Sequence, residues 1–161
     1  MANTQSMCTS FLGELMTATH NFGTAPIRAA STADTFKAAL YFTTATINAS
    51  TTAYTSTGEV TNTSGTGYTA GGTTVTNATP PASTNSSATA GVGYWTPSAS
   101  FTWTALTVTT AFDTVLLYNS TQSNKAVSVH TFGSQTITAG TFTLTMPSNT
   151  TTTALLRLST T

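Results

Sequence analysis

The sequence predicts a mainly β protein: an antiparallel β-sandwich, jelly-roll-like, with one N-terminal amphipathic helix. Three observations carry this. Thr, Val, Ile and aromatic residues, which suit a pleated and half-buried surface, are abundant, and Thr is the commonest residue. Short runs alternate apolar and polar residues between frequent Gly, Pro, Asn and Ser signals, the pattern of sandwiches and barrels rather than βαβ units. Helical spacing of apolar residues is clearest near the start. At 161 residues the length is that of one domain. It reads as an N-terminal helical segment over 1–25 and a β-sandwich domain over 26–161.

In SMCTSFLGELMTATHNFG, Met7, Phe11, Leu12, Leu15 and Met16 form one helical stripe. Ser6 is the expected N-cap, and Asn21, Gly23 and Pro26 the stop. Such a stripe must be covered, by the chain's own sheet or by a partner subunit. The first turn, around Met7 and Cys8, is assigned to a partner, because chain ends are seldom ordered unless tied down. In TFKAALYF, Phe36, Ala38, Leu40 and Phe42 are expected on one face, with Lys37 and Tyr41 on the other. FTWTALTVT puts Phe101, Trp103 and Ala105 on one face and then moves its apolar positions to Leu106 and Val108, a shift of phase that marks a bulge or a crossover between sheets. FDTVLLYN, KAVSVHTF, SQTITA, TFTLTMP and TALLRLS are expected as further short strands, parted by Asn-Ser, Gly-Ser, Ala-Gly and Pro-Ser-Asn signals. The Pro, Ser and Gly-rich stretch at about 76–93 reads as a long exposed loop within the domain. KAALYFTT and TVLLYNST carry the same Leu-Tyr pair and a hydroxyl-rich sequel, a weak internal echo.

Composition excludes several partners. Only 5% of residues are charged, four acids and four bases with a formal net charge of zero, against about 25% in an ordinary soluble protein. Four scattered bases cannot displace the counterions of a nucleic acid or hold an anionic membrane surface. No run reaches the ~18 apolar residues of a membrane span. MANTQSMCTS lacks a basic n-region and an apolar h-region, so no signal peptide is expected. Cys8 stands alone and reads as an apolar residue rather than a nucleophile. A near-neutral surface gives little repulsion between copies and favours association as a homo-oligomer.

Candidate chemistry is sparse. GTGYTAGG (65–72) has neither the Lys-Ser/Thr and following helix of a Walker loop nor the strand, helix and acid of a dinucleotide fingerprint. Its glycines read as positive-φ positions of a wide turn anchored by Tyr68. His20 and His130 lack partners at metal-ligand spacing. A Ser set with His130 and Asp113, or a carboxylate pair of Glu59 and Asp113, can be named, but no motif marks either. No catalytic residue, cofactor or metal is therefore expected. Trp103 is expected in the core. Tyr94 and Trp95 are expected to be more open, and could stack on a sugar or a partner.

The opening MANTQSMCTSF, the strand TFKAALYF, TGEV with GTGYTAGG, AFDTVLLYNS and FGSQTITAGTFTLTMP resemble small structural proteins of tailed bacteriophages. The resemblance covers most of the chain outside the Pro/Ser-rich loop and brings no catalytic signature. It implies a non-enzymatic virion component, assembled in the host cytoplasm. The most fitting role is a capsid cement or decoration protein that binds the assembled shell in many copies, with the major capsid protein as partner. The alternative is a tail, collar/neck or fibre component that touches the host. Interface residues would be Met7, Phe11, Leu12, Leu15, Met16, Tyr94 and Trp95.

Overall fold

A computed structural model describes residues 3–16, 18–22, 33–60, 67–84 and 91–159, with the side chains of Leu12, Gly13 and Met16 outside the description. The chain runs β1 (Ser6–Met7), α1 (Thr9–Met16), β2 (Phe36–Phe42), β3 (Thr73–Thr74), β4 (Ala82–Ser83), β5 (Val92–Trp95), β6 (Phe101–Asn119), β7 (Lys125–Leu144) and β8 (Leu156–Ser159). The strands form two antiparallel sheets. The larger has the order β1-β7-β6-β2-β3 and the smaller β4-β5-β8. The mainly β expectation holds.

The long hairpin β6–β7 dominates. Its strands have 19 and 20 residues, against a mean of about 5–6. The separate short strands expected over 101–146 are thus corrected to two continuous ones. The turn signals inside them are bulges. Between Trp103 and Leu106, β6 carries one residue more than β7 does between Phe142 and Gly140, and Ala105 takes φ 52°. β7 restores the register between Gly140 and Ile137, where Ala139 takes φ 48°. A second compensated pair follows: β6 has extra residues between Val108 and Phe112, and β7 between Gln135 and Thr131, around Gly133-Ser134. The shift of phase read at Ala105–Leu106 is the first of these bulges.

Bulges bend a strand, and here they fold the hairpin over. Gln135 lies opposite Phe112, and Phe142 is seven residues further on, about 23 Å away along an extended strand. Yet the Phe112 and Phe142 rings are 5.1 Å apart at 86°. Phe132 closes the cluster at 5.9 Å from Phe112 and 5.1 Å from Phe142, and Trp103 stacks on Phe142 at 5.9 Å. The open end, Phe101 and Leu144, returns to line one cavity with Val115 and His130.

β2 pairs along the closed half of β6, from Phe36↔Asn119 to Phe42↔Phe112, so the two segments of the sequence echo are neighbouring strands. The one-sided burial expected of β2 is corrected. Tyr41 is fully buried with its hydroxyl on Thr55 O (2.7 Å), and among Phe36–Tyr41 only Lys37 is half-buried, because both faces are covered.

The N-terminus also departs from expectation. Ser6 is not a helix cap; it and Met7 pair with Val129 and Ser128. Thr4 N–H donates to Ile47 O, Cys8 N–H to Val127 O and Thr9 N–H to Ala49 O, at 3.1, 3.0 and 2.9 Å. Cys8 is fully buried. The backbone of this first turn is therefore tied to the chain's own sheet. The boundary at 25/26 and the expected stops Gly23 and Pro26 lie outside the described residues. The loop at 76–93 is interrupted: its described part contains β4 and the start of β5.

Candidate functional site

All four acids are spent on internal ties. Glu59, 3% exposed, accepts from Tyr54 Oη–H (2.6 Å), Tyr68 Oη–H (2.8 Å) and Gly71 N–H (2.6 Å). Burial and then the Glu59 charge push the Tyr118 hydroxyl up to about 12; burial, with Glu59, raises Tyr54 and Tyr68 further. These phenols stay protonated donors. Leu40 N–H donates to Tyr68 Oη, and Tyr118 Oη–H donates to Gly71 O. The Gly-rich stretch is thus a turn built on Tyr68, with Gly67, Gly71 and Gly72 at φ 68°, 86° and 76°.

Glu14 in α1 accepts from Lys125 Nζ at 2.7 Å and lies 2.7 Å from His20 Nε2. Burial would raise its carboxyl, but the hydrogen bonds from Lys125 and His20 outweigh that and hold it below the usual range. Asp34 accepts from Asn21 N–H and Asn119 Nδ2–H, both 2.8 Å, and from Gln122 Nε2–H at 3.2 Å. Asp113 accepts from Asn3 Nδ2–H (3.0 Å) and Thr114 Oγ1–H (2.7 Å).

Among the described residues no hydrogen bond joins Asp113 to His130 or to Glu59. Asp113 is held by Asn3 and Thr114, Glu59 by tyrosines, and His130 meets Ser128 Oγ at 2.8 Å. Burial lowers His130 to about 4. Burial, then Glu14, pushes the Cys8 thiol up to about 11, away from the reactive thiolate. Among the described residues no three His, Cys, Asp or Glu side chains gather as metal ligands, and no helix is long and apolar enough to cross a membrane.

The remaining candidate is an apolar groove of about 200 Å³ between α1 and the smaller sheet. Five of the seven sequence-derived interface residues meet there: Met7, Phe11, Leu15, Tyr94 and Trp95. Leu12 and Met16 fall among the side chains outside the description. Trp95 is more buried than expected, at 3% exposure, because its ring packs at a tilt against Phe22 (4.7 Å, 59°) and its Nε1–H donates to Asn77 Oδ1 (2.9 Å) and Thr79 O (3.1 Å). Tyr94 is half-buried and Trp103 buried. Sequence reading missed Leu156 and Leu158 of β8, which form the opposite wall. Leu158, 44% exposed, is the large hydrophobic side chain left in solvent among the described residues. Their alternation in TALLRLS was the available signal. No protein-family model, curated protein or solved structure matches the chain.

Proposed function

We propose that this chain is a non-enzymatic structural protein of a bacteriophage virion, of the capsid cement or decoration type. It binds the assembled shell in many copies, as a homo-oligomer, and an apolar segment of the major capsid protein fills the groove between α1 and β8. The observation that carries the reading is that groove: uncharged walls from Met7, Phe11, Leu15 and Tyr94, with Leu158 exposed at the rim. The inward use of all four acids supports it, since it leaves the described surface without a free carboxylate and mostly with hydroxyl, amide and apolar groups, Arg157 being its exposed charge, and contacts of that kind are little weakened by salt. The sheets are read as a jelly-roll-like sandwich. The chain's passage from the larger sheet to β4 and β5, back to β6 and β7, and out again to β8 supports that, as does the aromatic cluster in which Trp95 of the smaller sheet packs at a tilt against the stacked pair Phe22–Phe36.

The test is the amount of this protein in purified particles, by stained gel and imaging. Hundreds of copies on the shell, retained in about 1 M NaCl, are expected; tens of copies at one vertex would move the protein to the tail or collar, and release by salt alone would contradict uncharged docking.

A further inference from the structure

Asn119, at the end of β6, has a fixed amide orientation. Its Oδ1 accepts from Thr121 N–H and Gln122 N–H, both at 3.1 Å. Its Nδ2 therefore faces the other way, donating to Asp34 Oδ2 at 2.8 Å and to His20 Nδ1 at 3.1 Å. A ring nitrogen that accepts a hydrogen bond carries no proton. His20 is thus neutral with its proton on Nε2, which donates to Glu14 Oε2 at 2.7 Å. The imidazole is fully buried, edge-on to Phe11 (4.9 Å) and stacked over Phe36 (6.4 Å). Through it α1 is fastened to the β6–β7 turn. The ionisable groups around it come from every packed element: Glu14 on α1, Asp34 before β2 and Lys125 on β7.

Protonation of Nδ1 would set two N–H groups against each other across 3.1 Å. Asn119 cannot rotate to relieve this, because its Nδ2 would then meet the Thr121 and Gln122 N–H groups, and its Oδ1 would meet the Asp34 carboxylate. We propose that His20 is an acid-operated latch: its protonation breaks the contact with Asn119 and leaves Glu14–Lys125 as the remaining polar tie of this group between α1 and the β6–β7 turn, loosening the groove wall that carries Phe11 and Leu15 while the sheets stay folded. The inference depends only on how α1 is held, not on what the groove binds.

The sign follows from linkage. Burial lowers His20 below its usual value despite the pull of Glu14 and Asp34, so below about pH 6.5 the released state binds more protons than the latched one. The latch is whole above that pH and weakens as pH falls towards the folded-state value. Glu14, also lowered, adds the same trend below the usual carboxylate range.

Hydrogen exchange on the full chain tests this at pH 7.5 and 5.0, with protection corrected for intrinsic rates. The α1 amides are expected to lose at least about tenfold protection, a shift of about 1.4 kcal/mol; the β2 amides weaken too, because burial lowers His130 on β7 to about 4, but most of their loss is expected to survive in His20→Gln. His20→Gln, which keeps an amide donor for Glu14, is expected to flatten the α1 response. Should that variant fail to fold, NMR titration of the wild-type His20 ring serves instead, its midpoint expected below 6.5 and coincident with the loss of α1 protection. Flat α1 protection down to pH 5.0, or an unchanged α1 response in His20→Gln, would each overturn the latch.

Discussion

The two halves of the β6–β7 hairpin are built on different rules. The closed half, Phe112–Asn119 against Lys125–Thr131, keeps a nearly regular register, is flanked by β2 and β1, and is buried on both faces along Val115–Tyr118 and Ala126–Val129. Polar ties from Glu14 and Asp34 to Lys125, Asn119 and Gln122 fasten its turn. The open half, Phe101–Ala111 against Phe132–Leu144, has two compensated pairs of bulges and no charged residue. Its inner face is held by packing alone (Trp103, Leu106 and Val108), and its outer face shows Thr residues to solvent. Register and hydrogen bonding hold one half. In the other, broken register permits a bend that brings aromatic rings together.

Substitutions can break this contrast. Trp103→Ala empties the crease of the open half and is expected to cost about 3–5 kcal/mol in denaturant unfolding. Leu116→Ala in the closed half is expected to cost about 2–5 kcal/mol. If Trp103→Ala fell below about 1 kcal/mol while Leu116→Ala did not, the open half would not be packed as described. The turn that meets the open half separates two glycines. A Cβ on Gly72 would lie 1.9 Å from Ala38 O, whereas on Gly71 it would lie 3.3 Å from Tyr118 Oη. Gly71→Ala should cost about 1–2 kcal/mol for its backbone handedness, and Gly72→Ala clearly more in the same thermal melt. Ala105→Gly has the opposite sign: Ala105 occupies φ 52°, so glycine is expected to stabilise by about 0.5–1 kcal/mol, and a loss of that size would deny the bulge. Thr141→Ala, on the exposed face, should stay within about 0.5 kcal/mol.

The sequence made the closed half legible and the open half only partly so. TFKAALYF and FDTVLLYN were legible as strands, and they pair with each other, but the burial of both faces of β2 was not legible, because Lys37 and Tyr41 read as a polar face. In the open half, Gly133-Ser134 and Ala139-Gly140 looked like turns because residues that tolerate a turn also tolerate a bulge. The polar ties were illegible for a different reason. His20–Asn119, Asp34–Asn119 and Glu14–Lys125 join residues 99, 85 and 111 apart, and no local pattern records such a pairing. The groove was half legible: helical spacing singled out Phe11 and Leu15, but nothing local tied them to Leu156 and Leu158.

Leu158→Asp tests the proposed docking most directly. The side chain is 44% exposed at the groove rim, so the charge should leave the fold intact, with a melting temperature within about 2–4 °C of wild type. Binding of this variant to shells stripped of the protein is the measurement. Uncharged docking through the groove predicts at least a tenfold loss of affinity, about 1.4 kcal/mol, with folding unchanged. Wild-type binding by folded Leu158→Asp would contradict it.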